Sequence, residues 1–231
     1  MARRKKKKIP PKEVSIPKKP KEFVRPRYYP LTPDEILELG ESIEDGLARA
    51  IFFTSYLTGA RISEVARLRL AHIEKKDDFY EVRMVVLKKR RRRGMSRFVP
   101  IPSGKKAKCH EDRMMSHVIK YLSGSKKDYP FWVWGKPNDM NPAGRPDSVG
   151  EYLRRHCELR VEAQVKGKDG IWWEKIIVKP MHAHYLRHCR ASHLAKYYNF
   201  DSLEITLYFS WEDPKMAMNY IEERSLKHAF G

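Results

Sequence analysis

Residues 182–194 read HAHYLRHCRASHL, placing four histidines, two arginines and a cysteine in thirteen positions. Nitrogen at that density suits either a metal ion or a phosphate. On a helix His184 and His188 are four apart and face the same way, the geometry of a zinc-binding pair. No glutamate follows His184, however, and Cys-x-x-Cys occurs nowhere in the chain. Arg187 would also project between the two rings and repel a dication. The phosphate reading uses every residue. Arg187 carries a planar fork of donors that stays charged, and His184, one turn earlier, can donate a hydrogen bond or move a proton near neutral pH. The stretch is therefore read as phosphate-directed, with no metal.

Composition points the same way. The 231 residues hold 48 Lys+Arg against 29 Asp+Glu, a formal charge of +19 and a pI near 9.8. Such an excess favours a polyanionic partner, because each neutralised phosphate releases condensed counterions. Residues 1–30 contain 12 Lys/Arg, 2 Glu and 6 Pro, and so account for about ten of the net charges. Proline denies this segment a helix and charge denies it a core, so it is predicted to be a disordered basic arm ahead of a body at 31–231. No apolar run approaches the ~20 residues of a membrane span. The N-terminus lacks an apolar h-region, and three scattered cysteines (Cys109, Cys157, Cys189) suit a reducing interior. A cytoplasmic location is expected. No GxGxxG or GxxxxGK[ST] loop is present, so no nucleotide cofactor is expected.

The body begins at LTPDEILEL, where Thr32 suits an N-cap, Pro33 the first helical position and Glu35 a capping box. GLARAIFFTSYLTG follows as an apolar, central helix stopped near Gly59, and RISEVARLRL is predicted to begin a third. FYEVRMVVL and RFVPIP flank the bend KKRRRRGMS and read as a β-hairpin. Helices are predicted at 110–123, 148–164, 201–209 and 214–226, with a second small hairpin over VEAQVKGKDGIWWEKIIVKP. The fold class is α+β, mostly helical with a small antiparallel sheet.

Three boxes then stand in order: TGARISEVARL at 58–68, HYLRHCRASHL at 184–194 and SWEDPKMAMNYIE at 210–222. Together they resemble the signature boxes of the tyrosine recombinases, the family of phage integrases and Xer-type resolvases. Thr58, Gly59, Arg61, Ile62, Ser63 and Glu64 match the first box. His184, Leu186, Arg187, His188, Ala191, His193 and Leu194 match the second, and Trp211 precedes Tyr220 by the nine residues of the third.

The resemblance implies the family's catalytic domain and its chemistry. Tyr220 would attack a DNA phosphodiester to give a 3′-phosphotyrosine, with His184 taking the phenolic proton. Arg61, Arg187 and Trp211 would bind the non-bridging oxygens. The family's leaving-group lysine sits in the hairpin after the first box, which points to Lys88, with Lys89 beside it. Lys89, Arg90, Arg91, Arg92 and Arg93 are expected on the DNA backbone, and Arg190 is also expected to face DNA. Double-stranded DNA and a homo-oligomer, dimer or tetramer, are the implied partners, without cofactor. Related readings are a type IB topoisomerase-like enzyme and a catalytically idle DNA-binding protein; the His-x-Leu-Arg-His box and the Trp-to-Tyr spacing favour the recombinase. This sequence departs from the family in having only the basic arm where a core-binding domain is usual, and Ser210 where glycine is usual before Trp.

Overall fold

The computed structural model describes residues 24–26, 30–86, 96–133, 146–166, 171–218 and 220–221. Most of the basic arm, and the bend carrying Lys88, Lys89, Arg90, Arg91, Arg92 and Arg93, lie outside the described residues. Residues divide into two units, 1–27 with 161–177 and 28–160 with 178–231. The smaller unit is built on an antiparallel sheet in the order β1 (Val24–Pro26), β5 (Glu158–Lys166), β6 (Trp172–Pro180). Val24 lies opposite Val165 and Pro26 opposite Ala163. The β5–β6 hairpin covers the stretch predicted for it, with β5 beginning three residues earlier, while residues 167–170 of the KGKDG turn lie outside the described residues. The pairing of β1 is new, since a three-residue edge strand in a Pro-rich arm has no periodicity to read.

The larger unit is organised on α2 (Gly46–Thr58). Ala50, Ile51, Phe52, Phe53, Tyr56 and Leu57 are all fully buried, which leaves this helix no solvent face in its second half. It packs against α1 (Pro33–Ser42), α4 (Glu111–Gly124), α5 (Pro146–His156) and α6 (Ala183–Tyr198). The predicted capping box starts α1: the Thr32 hydroxyl accepts from the Glu35 N–H at 3.2 Å and the Glu35 carboxylate accepts from the Thr32 N–H at 2.6 Å. Asp45 caps α2 by accepting from the Ala48 N–H at 2.7 Å.

A second antiparallel sheet has the order β2 (Ile73–Lys75), β3 (Phe79–Val85), β4 (Ser96–Pro102), with Val82 opposite Val99 and Met84 opposite Arg97. Its buried face follows period two through Val82 and Met84 on β3 and through Arg97, Val99 and Ile101 on β4. After α7 (Ser202–Phe209), residues 215–218 and 220–221 are helical.

Two predicted helices are too long. RISEVARLRL yields only α3 (Ile62–Val65), followed by a 3-10 turn at Leu70–His72, and Leu70 is 40% exposed. The helix expected to reach residue 164 stops at His156, and the chain turns into β5. Val161, where the expected helix and the expected hairpin overlapped, belongs to the strand. No described helix is long and apolar enough to cross a membrane.

Candidate active site

Two helix C-termini, those of α2 and α7, converge in the larger unit. Such ends present carbonyls with no intrahelical donor and a partial negative charge. Two buried arginines satisfy them. Arg187, on α6, donates through Nη1 to the Gly59 carbonyl and through Nη2 to the Phe209 carbonyl, the latter at 2.9 Å. Arg97, on β4, donates to the carbonyls of Tyr208 and Thr58.

Local backbone geometry makes this convergence. Gly59 caps α2 at φ +54°, in the left-handed region that favours glycine. A Cβ there would also lie 2.0 Å from Cε1 of Phe209, so both torsion and packing demand glycine. Ser210 caps α7 at φ +50°, which explains why glycine suits that position.

The turn at Gly59 delivers Arg61 to the start of α3. Its backbone N–H donates to Glu64 at 3.1 Å, and its guanidinium lies 3.5 Å from the same carboxylate. Glu64 is 2% exposed and also pairs with Arg97 at 3.6 Å. One buried carboxylate thus serves two arginines, with Arg187 as a third cation beside them. Burial first, then the neighbouring Arg97 and Arg61, pull the Arg187 guanidinium down to about 9. Excess buried positive charge of this kind invites an anion.

Arg61, His184, Arg187 and Trp211 line one pocket of about 670 Å³, with Ser210 and Arg154 also on its wall. Arg154, from the last turn of α5, escaped the sequence reading; it pairs with Glu151 at 2.5 Å. Arg97 was missed as a site support, because its partners Thr58, Glu64 and Tyr208 lie far from it in the chain, and Glu64 was read only as a match to the first box. Trp211 is stacked between Phe209, 4.8 Å away, and Tyr220, 5.8 Å away, at interplanar angles of 17° and 18°. The Arg187 guanidinium lies 4.8 Å from the Phe209 ring centre and 5.5 Å from that of Trp211.

The Tyr220 hydroxyl is hydrogen bonded to Nδ1 of His188, whereas the base expected from sequence was His184. The two histidine rings sit 4.5 Å apart and nearly perpendicular, at 86°. Tyr208, the other tyrosine of this region, is 5% exposed and donates its hydroxyl to the Leu57 carbonyl at 2.6 Å, so it cannot reach a bound ligand.

Arg190 corrects the sequence reading. It is fully buried, not DNA-facing. Its Nη1 donates to Glu111 at 2.7 Å, and Tyr198 donates to the same oxygen at 2.5 Å. Burial raises the Glu111 carboxyl, but Arg190 and its hydrogen bonds outweigh this and hold it below its ordinary value. Among the described residues no three His, Cys, Asp or Glu side chains gather as a metal-binding group.

No curated protein matches the chain significantly by sequence. Among solved structures it is similar to the XerA recombinase, with TM-score 0.53, 16% identity, and coverage of 96% of this chain and 66% of that one. It is also similar to the XerH site-specific recombinase bound to difH substrate in a pre-cleavage complex, with TM-score 0.50, 17% identity, and coverage of 87% and 52%. The chain thus spans about half the length of the XerH protein, and the likeness is one of fold: the helical catalytic domain with its small sheet. Residues 30–226 match the phage integrase family, and the chain belongs to that family.

Proposed function

We propose that this protein is a site-specific DNA recombinase or integrase that cleaves and rejoins double-stranded DNA through a 3′-phosphotyrosine on Tyr220. The observation that carries this reading is the shared pocket of Arg61, His184, Arg187 and Trp211, with Tyr220 stacked on Trp211. Its chemistry fits a phosphodiester. The Tyr220 oxygen attacks phosphorus, forming a P–O bond as the bond to the 5′-oxygen breaks. Arg61 and Arg187 hold the non-bridging oxygens, where negative charge grows in the transition state. His184 and the Trp211 indole add N–H donors to the same oxygens. The departing 5′-oxygen takes a proton from a lysine of the β3–β4 bend, for which Lys88 is the choice and Lys89 the alternative.

The backbone bond's energy stays in the phosphotyrosine, so rejoining needs no nucleotide. The two guanidiniums supply the charge that a metal ion would otherwise bring. Lys89 and Arg90 to Arg93 would track the DNA backbone, fixing position rather than sequence. A dimer or tetramer on DNA is the expected assembly, because exchange joins two duplexes. A cytoplasmic site of action goes with this reading.

The test starts from a pool of nicked duplexes of randomised sequence. Wild-type protein should trap a covalent adduct, and sequencing the trapped DNA then defines a single nicked substrate. Tyr220→Phe should bind that duplex yet form no adduct, and wild-type adduct should form undiminished in EDTA. An adduct with Tyr220→Phe at the wild-type level, or one abolished by EDTA, would refute the proposal.

A further inference from the structure

We infer that His188, rather than His184, takes the proton from the Tyr220 hydroxyl, so that the two histidines of the second box divide the chemistry between them. This rests on the reading of Tyr220 as the nucleophile. The geometry is specific. His188 Nδ1 is the atom hydrogen bonded to the phenol oxygen, while His184 lines the pocket that holds Arg61 and Arg187. The rings meet edge to face at 4.5 Å, so the two imidazoles are in direct contact. Both project from α6, one turn apart, and this scaffold keeps the division of labour fixed.

The proton balance follows from these positions. The neutral His188 tautomer with its hydrogen on Nε2 has a lone pair at Nδ1. As the Tyr220 oxygen bonds to phosphorus, its hydrogen moves to Nδ1 and leaves an imidazolium. The P–O5′ bond breaks, and the 5′-oxygen takes its proton from the bend lysine. In rejoining, the 5′-hydroxyl attacks phosphorus and gives its proton back to that lysine, while the phenol leaves and His188 returns the proton to it. The groups facing the ring are His184 and Arg187 from its own helix and Tyr220 from the segment after α7. Desolvation first, then the charges of His184 and Arg187, hold His188 below the ordinary histidine range, which keeps the acceptor neutral at pH 7.

The experiment measures single-turnover cleavage of the defined nicked duplex by His188→Ala, His188→Gln and His184→Ala. Losing a general base costs about a hundredfold or more, and both His188 variants should show that loss at pH 7. Without an internal base the phenol, whose pKa lies near ~10, must ionise beforehand. The His188 variants should therefore gain about tenfold per pH unit from pH 7 to 9, while wild type stays nearly flat. Added imidazole should restore much of the His188→Ala rate and little of the His184→Ala rate. Glutamine can hold the Tyr220 hydroxyl but cannot take its proton, so it separates base from prop. A His188→Gln rate within about threefold of wild type would overturn the inference. So would a slow His188→Ala that responds to neither pH nor imidazole, or a rescue confined to His184→Ala. Tyr220→Phe runs alongside, and an adduct from that variant would sink the nucleophile assignment instead.

Discussion

Arg187 is the residue on which the site turns, because it binds two helix ends and lines the pocket at once. Burial and the neighbouring Arg97 and Arg61 lower its affinity for a proton, so positive charge is crowded at this point. A phosphate mimic should relieve it. Orthovanadate at about a hundred times its dissociation constant should stabilise the fold by about 2.7 kcal/mol, a rise of several degrees in melting temperature. Arg187→Lys should lose most of that shift, since an ammonium lacks the planar fork; an equal shift in the variant would place the anion elsewhere. Arg190 differs only in its surroundings. Its partner Glu111 lies 79 positions away, so nothing local distinguishes a buried arginine from a DNA-facing one. Glu111→Ala should leave that cation unpaired and cost about 3–5 kcal/mol, measured by denaturant unfolding. A cost below about 1 kcal/mol would mean that the pair contributes nothing beyond packing.

At the scale of elements, legibility follows the range of the interactions that set each one. The capping box of α1 and the glycine stop of α2 are decided within four residues, and both stand where the sequence put them. Arg61, Arg187, Trp211 and Tyr220 were legible through the resemblance of the three boxes; the first three line one pocket, and Tyr220 stacks on Trp211. Box residues cannot reveal that His188 meets Tyr220, because that depends on how the segment after α7 lies against α6. The over-long α3 has a similar origin. RISEVARLRL has helical periodicity, yet Glu64 is drawn inward by Arg61 and by Arg97 from β4, and the helix ends one residue later. Ser210 offers an element-scale test. A left-handed residue other than glycine costs roughly 1–2 kcal/mol, and glycine gives back roughly 0.5–1 kcal/mol in chain entropy. Ser210→Gly should therefore stabilise the domain by about 0.5–1 kcal/mol in calorimetry. A clear destabilisation would mean that the serine side chain makes a bond that outweighs its torsional cost.

The whole molecule depends on buried polar links as well as on the α2 core. His193 joins α6 to Tyr56 of α2 at 2.7 Å through Nδ1, and to the Leu31 carbonyl at 2.7 Å through Nε2, where the chain enters α1. Burial first, then Arg190, lowers it from 6.5 to about 4. Between these values the unfolded chain binds the proton and the folded one does not, so stability falls as pH drops through that window and is fully present above it. The loss should be on the order of 3 kcal/mol by pH 4, and the melting temperature of His193→Gln should vary less over the same range. An equal slope in both proteins would assign the acid sensitivity to other groups. Charge acts at this scale too. Removing residues 1–23, which hold ten Lys/Arg, should weaken DNA binding and flatten its salt dependence by about one log–log unit per lost phosphate contact; an unchanged slope would mean that the arm does not touch DNA. The most direct test of the proposed activity is the identity of the residue that becomes linked to DNA. Wild-type protein trapped on its nicked duplex, digested with protease and nuclease, should yield one modified peptide by tandem mass spectrometry, bearing a 3′-phosphoryl nucleotide on Tyr220. A nucleotide joined through its 5′-phosphate, or carried by Tyr208 or any other side chain, would contradict the mechanism.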